Sequence, residues 1–410
     1  MFDALTIIVA IAALFSYFNH RLLKLPVTIG LLMLSLVLAL IFAALREVSP
    51  DVFHQACEIV LTINFREILM NVMLSFLLFA GAMHVDLKVL EKEKWAVLLF
   101  ATLGVLISTF IVGALGYVVF NAIGLQIPFI HCLLFGALIS PTDPIAVLAI
   151  LKDARASKSL ELKISGESLF NDGVGVVVFL SIAMVSDMGL EDFEVSEIFH
   201  LFAVEALGGV AYGLVLGYVG YLLIKSVDDA PKIEVLITIS IAMGGYALAG
   251  ILGVSGPLAM VAAGLLIGER LCSGRFSEKS KEHLDIFWEM LDEILNAVLF
   301  VLIGLEVLTL SFEFTYFVAG LVSVVIVLVA RFSSVGLSYS LLKNQDHSKI
   351  KTIGILTWGG LRGGISVALA LSLEPSMSRE MIVFITYMVV VISVLLQGLT
   401  IKSMVKRLTT

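Results

Sequence analysis

Two carboxylates in apolar surroundings are the first candidates for chemistry in this sequence. Asp143 and Asp172 each lie inside an apolar run of about twenty residues, where a charge costs about 2.5–3.5 kcal/mol in a membrane. Ser168 precedes Asp172 by four residues, so on a helix the two side chains share one face. Oxygen-bearing side chains one turn apart are ligands that a hard cation prefers. The pattern predicts cation binding within a membrane.

Three further ionisable residues, Glu167, Arg331 and Arg362, also lie within apolar runs. We expect Glu167 to form a buried ion pair with Arg362 or Arg331, because a permanently paired carboxylate is a poor proton carrier. Asn171 shares a helix face with Glu167 and is interpreted as a hydrogen-bonding strut. Asp172 has no basic residue within two turns of its own helix, and its neighbours are small or apolar. It is therefore our candidate for the proton-exchanging group.

Two of the apolar runs are interrupted near their middles. Segment 140–144 (SPTDP) contains two prolines, which remove backbone donors and clash with the preceding turn. Segment 359–364 (GGLRGG) contains four glycines, which stabilise a helix poorly. We expect Asp143 to cap the second half of the first broken helix, with or without direct ion contact. Arg362 is expected to compensate helix dipoles from the other side.

The composition restricts the class of protein. Apolar residues make up 60% of the 410 residues and charged residues only 15%, which is too few for an ordinary soluble domain. No stretch alternates like a barrel strand, so the apolar runs must cross a membrane as helices. The three cysteines have no metal or redox spacing, and the net charge of −8 gives no reason to expect nucleic acid binding. No cofactor is expected.

Polar breaks between the apolar runs predict thirteen membrane-spanning helices. They cover residues 4–18, 26–45, 67–85, 95–122, 128–151, 164–186, 198–224, 233–251, 253–270, 287–308, 314–342, 350–373 and 380–401. Most lysines and arginines then fall in alternate loops, which predicts an N-terminus outside and a cytoplasmic C-terminus. The interrupted spans, five and twelve, take equivalent positions in two six-helix halves. The predicted fold is an all-α polytopic membrane protein with two inverted repeats and crossed broken helices.

Two shorter patterns and one charged residue receive structural interpretations. Gly209, Gly213 and Gly217 repeat every four residues, which predicts close packing of one helix on another. The polar stretch 273–283 is expected to be a cytoplasmic loop. Asp292 lies near the end of a predicted span and is expected to reach water.

The sequence resembles the sodium/proton exchanger branch of the cation/proton antiporters. The stretches GESLFNDG (166–173), TDP (142–144) and GGLRGG (359–364) carry the resemblance, which extends over nearly the whole chain in the family's order. It implies a core domain that moves like an elevator past a dimerisation domain. The dimerisation domain would comprise residues 1–90 and, with a linker helix, 191–310, and the core domain residues 91–190 and 311–410.

The resemblance also implies roles for individual residues. Its ion ligands map onto Asp172, Ser168 and the backbone near Thr142, with Asp143 beside them, so Na⁺ is expected there. Its structural ion pair maps onto Glu167 with Arg362, with Arg331 in support. An Asn-Asp pair, here Asn171 and Asp172, usually marks electroneutral, one-for-one exchange. Ala80 is a departure, since many relatives have an acidic residue there, and we expect water or Asn71 to complete the ligand shell.

The expected function is exchange of Na⁺, or Li⁺, for H⁺ by competition of the two ions for Asp172. The expected setting is a homodimer in a prokaryotic inner membrane, and no enzymatic activity is expected. The alternatives are a K⁺/H⁺ antiporter, a sodium-coupled solute symporter of related fold, and an ion channel. Saturable, gradient-driven exchange in proteoliposomes would separate an exchanger from a channel.

Overall fold

The structure, a computed structural model, is helical throughout and describes residues 2–153, 157–188, 203–227, 229–274, 276–342 and 349–409. Its α-helices are α1 (Phe2–Phe18), α2 (Val27–Leu45), α3 (Pro50–Thr62), α4 (Phe65–Ile68), α5 (Leu74–Met83), α6 (Leu87–Leu99), α7 (Val105–Ala122), α8 (Phe129–Ile139), α9 (Ile145–Asp153), α10 (Lys158–Met188), α11 (Gly208–Ser226), α12 (Pro231–Leu252), α13 (Gly256–Cys272), α14 (Glu278–Glu306), α15 (Phe314–Ser340), α16 (Lys349–Trp358), α17 (Gly364–Leu371), α18 (Arg379–Ile392) and α19 (Gly398–Thr409). Single π-helical turns join some of them into longer rods, as Phe100–Gly104 joins α6 to α7.

Nine helical segments in the described ranges are long and apolar enough to cross a membrane. They are Phe2–Leu23, Val27–Leu45, Pro50–Met83, Leu90–Ala122, Lys158–Ser186, Ala203–Ser226, Pro231–Leu252, Phe314–Ser340 and Arg379–Leu408. Each overlaps a predicted span, although Pro50–Met83 begins well before span 67–85, and many large apolar side chains on these segments are exposed, as expected for surfaces that face lipid. The prediction of an all-helical membrane protein is confirmed.

The other four predicted spans correspond to helices that are short, interrupted or charged. Span 128–151 is divided into α8 and α9, and span 350–373 into α16 and α17, so both predicted breaks are present. Span 253–270 corresponds to α13, which has only 17 residues. Span 287–308 is the second half of α14, whose first half carries many charged residues.

Two polar regions differ from the prediction. The expected loop 273–283 is helical from Glu278 onward, because the Ser277 hydroxyl accepts a hydrogen bond from the backbone N–H of Ser280 and caps α14. The unpredicted helix α3 begins at Pro50, whose fixed φ suits the first helical position. The first residues of predicted span 198–224, and the predicted domain boundary at residue 190, lie outside the described residues.

Close packing of α11 on α13 follows from the predicted glycine spacing. A Cβ added at Gly213 would overlap the backbone of Ala259, and one added at Gly217 would lie 2.9 Å from the Cα of Ala263. Side chains larger than hydrogen would therefore separate the two helices. Because α13 also packs against α5 and α10, this contact fixes the surface on which α10, the helix of Asp172, rests.

Candidate functional site

The two interrupted helices meet at their breaks. In the gap between α8 and α9, the backbone N–H of Asp143 donates to the carbonyl oxygen of Leu361 at 2.8 Å. Leu361 lies in the gap between α16 and α17, so the two unwound segments pair in antiparallel orientation. Pro141 and Pro144 have no N–H to contribute to a helix, which explains the first gap.

The carboxylate of Asp143 lies at the N-terminal ends of two half-helices. Its Oδ1 accepts a hydrogen bond at 2.9 Å from the backbone N–H of Ile145, the first residue of α9. It also lies against Gly363, directly before α17, where an added Cβ would be 2.6 Å from Oδ2. A negative charge is favourable at a helix N-terminus. Asp143 thus makes the predicted capping contact with α9, and its negative charge also lies close to the N-terminus of α17.

Arg362 lies at the opposite, C-terminal end of α8. Its guanidinium group is buried and donates hydrogen bonds to the carbonyl oxygens of Ser140 and Pro141, the second at 2.9 Å. These carbonyls have no helical partners where α8 breaks, so the cation both satisfies them and compensates the negative end of the helix dipole.

The buried ion pair of the site is Glu167 with Arg331, so the predicted pairing of Glu167 with Arg362 is corrected. Both terminal nitrogens of Arg331 donate to the two carboxylate oxygens of Glu167, one of them at 2.9 Å. Arg331 also donates to the carbonyl oxygen of Leu356 near the end of α16, at 3.2 Å. Because Arg362 is engaged with the carbonyls of α8, it is Arg331 that presents its planar fork to the carboxylate.

A hydrogen-bonded network joins α10 to the first unwound segment. Asn171 donates through Nδ2 to Oγ1 of Thr142 at 3.0 Å, and its Oδ1 lies 3.4 Å from the backbone nitrogen of Thr142. The Thr142 hydroxyl is 3.1 Å from the hydroxyl of Ser168, and all three side chains are buried. Asn171 is therefore a strut between the helix and the segment, as the sequence predicts.

Asp172 lies at the edge of this network. Its side chain is half-buried, and within the described part of the chain it forms neither a hydrogen bond nor an ion pair. The carboxylate of Asp143 is close enough to act on it electrostatically. Gly173, the next residue, lies against Leu258 of α13, so Asp172 is at the boundary between α10 and its neighbouring helices.

The site thus offers oxygen atoms from α10 and from the first unwound segment. The carboxylate of Asp172 and the hydroxyls of Ser168 and Thr142 come from α10 and the unwound segment, with Asp143 nearby. No group of three or more His, Cys, Asp or Glu side chains that could hold a metal ion occurs among the described residues. Carboxylate and hydroxyl oxygens are the ligands that hard cations prefer.

Asn71, one of the two groups expected to complete the ligand shell in place of an acidic residue at Ala80, is not joined to the site in the described residues. Ala80 is buried, and its carbonyl oxygen lies 2.8 Å from Nδ1 of His84. Asn71 lies in the π-helical turn Leu69–Met73 with its side chain exposed, and no hydrogen bond joins it to the site in the described ranges. Asn71 is therefore not supported as an ion ligand.

Helix α14 contributes a polar residue that the sequence interpretation missed. Asn296 is 3% exposed, and its amide lies within reach of the Asp292 carboxylate, but neither its nitrogen nor its oxygen makes a hydrogen bond of good geometry in the described protein. One turn later Leu299 packs against Gly364 at the start of α17, and one turn earlier Asp292 is close enough to Asp143 to interact electrostatically. Asp292, Asn296 and Leu299 follow one another at helical spacing and share one face of α14. This spacing is the sequence signal that could have placed Asn296 beside the site.

Together these features define an integral membrane protein of the ion-transporter type, with two broken helices that cross beside half-buried carboxylates. The model of the transmembrane sodium/hydrogen exchanger family matches residues 8–407. The chain therefore belongs to the sodium/hydrogen exchanger family.

Proteins similar to this chain are named as sodium/proton antiporters. The chain is 47% identical over 413 residues to the Na⁺/H⁺ antiporter NhaP of Pseudomonas aeruginosa, covering all of this chain and 97% of that protein. It is 33% identical to the Na⁺/H⁺ antiporter NhaH of Halobacillus aidingensis, covering 95% and 93% of the two chains. The sodium proton antiporter MjNhaP1 of Methanocaldococcus jannaschii, solved at pH 8, shares the fold with a TM-score of 0.76 at 21% identity, over 99% of this chain and 97% of that one.

Proposed function

We propose that this protein is an antiporter that exchanges Na⁺ for H⁺, with Asp172 binding the two ions in turn. The observation that carries the proposal is the state of Asp172: a half-buried carboxylate without a hydrogen bond or ion pair in the described protein, beside two crossed broken helices. The neighbouring charged groups Asp143, Glu167 and Arg362 are all engaged in structural contacts. The antiporter names of its similar proteins support the same function.

Competition for one carboxylate couples the two ions. Asp172 binds either a proton or a cation, and each neutralises it. A neutral site can cross the apolar barrier of the membrane, whereas a bare carboxylate would raise the energy of the crossing by several kcal/mol. The hydroxyls of Ser168 and Thr142 can replace part of the hydration shell of Na⁺.

The exchange is proposed to be electroneutral, one Na⁺ for one H⁺. Asn171 stands next to Asp172 and is not titratable, and both ends of its amide are directed at Thr142. The salt bridge to Arg331 makes Glu167 a poor second proton carrier. One exchanging carboxylate then carries one charge in each direction.

The proposed architecture has thirteen spans. The broken pairs α8 with α9 and α16 with α17, together with α13 and α14, join the nine long helices, and the broken helices then occupy positions five and twelve of two inverted repeats. Residues 91–190 and 311–410 would form a core that moves like an elevator, and residues 1–90 and 191–310 the dimerisation domain of a homodimer. The N-terminus would face outward and the C-terminus the cytoplasm of a prokaryotic cell.

Purified protein in liposomes with an internal pH dye tests this function. Na⁺ or Li⁺ gradients should drive proton movement that saturates with cation concentration and does not change when a potassium diffusion potential is imposed. Proton movement driven by K⁺ but not by Na⁺ would contradict sodium exchange. Dependence on the imposed potential would contradict the one-for-one ratio.

A further inference from the structure

A small internal cavity lies behind the crossing of the broken helices. Its volume is about 10 Å³, close to the room that one water molecule needs. We call it the arginine cavity; its polar lining is Arg331, Thr357, Arg362, Ser393 and Gln397, with Gly360 beside them. It is separate from Asp172, and the exchange mechanism makes no use of it.

Three buried polar atoms that line this cavity have no hydrogen-bond partner in the described protein: Nε of Arg331, Nε of Arg362 and Oγ1 of Thr357. The residues are 5%, 1% and 8% exposed. Arg331 is otherwise engaged with Glu167 and Leu356, and Arg362 with the carbonyls of α8 through Nη1, so each guanidinium group has a buried Nε–H group without a partner in the described protein. Buried polar groups in folded proteins nearly always have a partner, from the protein or from ordered water.

The chemistry of the lining selects the ligand. Two N–H donors require an acceptor, and a hydroxyl can accept in return. A water molecule meets both needs, since buried waters typically make about three hydrogen bonds. A small anion would also accept from two guanidinium groups, but one of their charges is already neutralised by Glu167 and the other faces the carbonyls of Ser140 and Pro141.

We propose that the arginine cavity binds one water molecule, which accepts hydrogen bonds from the Nε–H groups of Arg331 and Arg362 and donates one to Thr357. Thr357 is then a positioning residue. Through the water it fixes Arg362, and Arg362 holds the two carbonyls that directly precede Thr142 in the unwound segment. Gly360 packs between Arg331 and Thr142. A Cβ added there would lie 2.6 Å from Nε of Arg331 and 3.3 Å from the methyl group of Thr142.

A density map that resolves ordered water tests the ligand directly. We expect one peak within hydrogen-bonding distance of all three atoms. No peak there, in a map that shows other buried waters, would overturn the proposal. A peak that gives a bromide anomalous signal after chloride is exchanged for bromide would also overturn it, in favour of an anion site.

Two variants of Thr357 test the positioning role. Thr357→Val removes the hydroxyl at nearly constant volume and should lower the melting temperature and raise the apparent KM for Na⁺ several-fold with little change in maximal rate. Thr357→Ser should restore both. Thr386→Val is the matched control, because that hydroxyl is also buried and without a partner in the described protein, but Thr386 does not line the cavity; the variant should leave KM unchanged.

Equal melting temperature and KM in Thr357→Val and the parent would contradict the positioning role. The KM measurement rests on the proposed exchange function, whereas the density and the melting temperature do not. A parent protein that shows the water but no sodium-driven proton flux would therefore refute the function and leave the water site standing.

Discussion

Arg331 binds Glu167 through both carboxylate oxygens, and the same guanidinium group donates to the carbonyl oxygen of Leu356. Three helices are joined in this way. Glu167 belongs to α10, Arg331 to α15, and Leu356 to α16, which is the first half of the second broken helix. Both partners of the ion pair are buried. It therefore holds α10, the helix of Asp172, against α16, directly before the second unwound segment.

Removing one partner of this pair should destabilise the protein strongly. Glu167→Gln leaves the Arg331 charge buried without its counterion, which we expect to cost about 3–5 kcal/mol in the free energy of unfolding. A double-mutant cycle with Arg331→Gln should show a large coupling energy in chemical unfolding of the detergent-solubilised protein.

The matched cycle pairs Glu167→Gln with Arg362→Gln. Because Arg362 donates to carbonyl oxygens of α8, its coupling to Glu167 should be much smaller. A larger coupling with Arg362 than with Arg331 would restore the pairing that the family resemblance implies.

The capping role of Asp143 predicts a difference between two substitutions. Asparagine caps a helix about as well as aspartate, so Asp143→Asn should lose little stability through the contact with Ile145. Asp143→Ala removes that contact and should cost about 0.5–2 kcal/mol more. Thermal unfolding of the two variants measures the difference. Equal melting temperatures of the alanine and asparagine variants would show that the cap contributes nothing.

The close approach of Gly363 to Asp143 predicts sensitivity to a single methyl group. In Gly363→Ala the new Cβ would lie 2.6 Å from Oδ2 and 2.7 Å from Cβ of Asp143, so the unwound segments must move apart and transport should fall sharply. Gly336→Ala in α15 is the control, because nothing lies within 4 Å of its added Cβ. The initial rate of sodium-driven proton flux is the measurement, and an active Gly363→Ala variant would contradict the tight crossing.

The backbone signals at the site could be predicted from the sequence because they are local. The prolines of segment 140–144 and the glycines of segment 359–364 break their own helices wherever those helices lie. The i, i+4 spacing of Ser168 and Asp172 likewise places both on one face without knowledge of any other helix.

What the sequence could not predict depends on distances between helices. Glu167 could reach an arginine on α15 or one in the unwound segment after α16, and only the packing of α10 on these elements decides between them. The position of Asn296 beside the site also depends on packing between helices, here on the contact of Leu299 with Gly364. The thirteen apolar runs do not reveal these neighbours.

Replacing Asn296 with leucine should have opposite effects on stability and on transport. Asn296→Leu removes two buried polar atoms that make no hydrogen bond of good geometry in the described protein, so stability in this conformation should rise or stay constant. If the amide finds partners during the transport cycle, the rate of exchange should fall. Thr28→Val removes another buried hydroxyl without a partner in the described residues and should leave the rate unchanged. Parent-like transport in Asn296→Leu would exclude a role for the amide.

The role of Asp172 is tested most directly by Asp172→Asn in proteoliposomes, with Glu293→Gln, an exposed carboxylate of α14, as the control. Both variants should fold and melt like the parent. Asp172→Asn should show no sodium-driven proton flux at any pH, and Glu293→Gln should retain it. Sodium-driven proton flux that persists in a folded Asp172→Asn protein would contradict the assignment of Asp172 as the group that carries both ions.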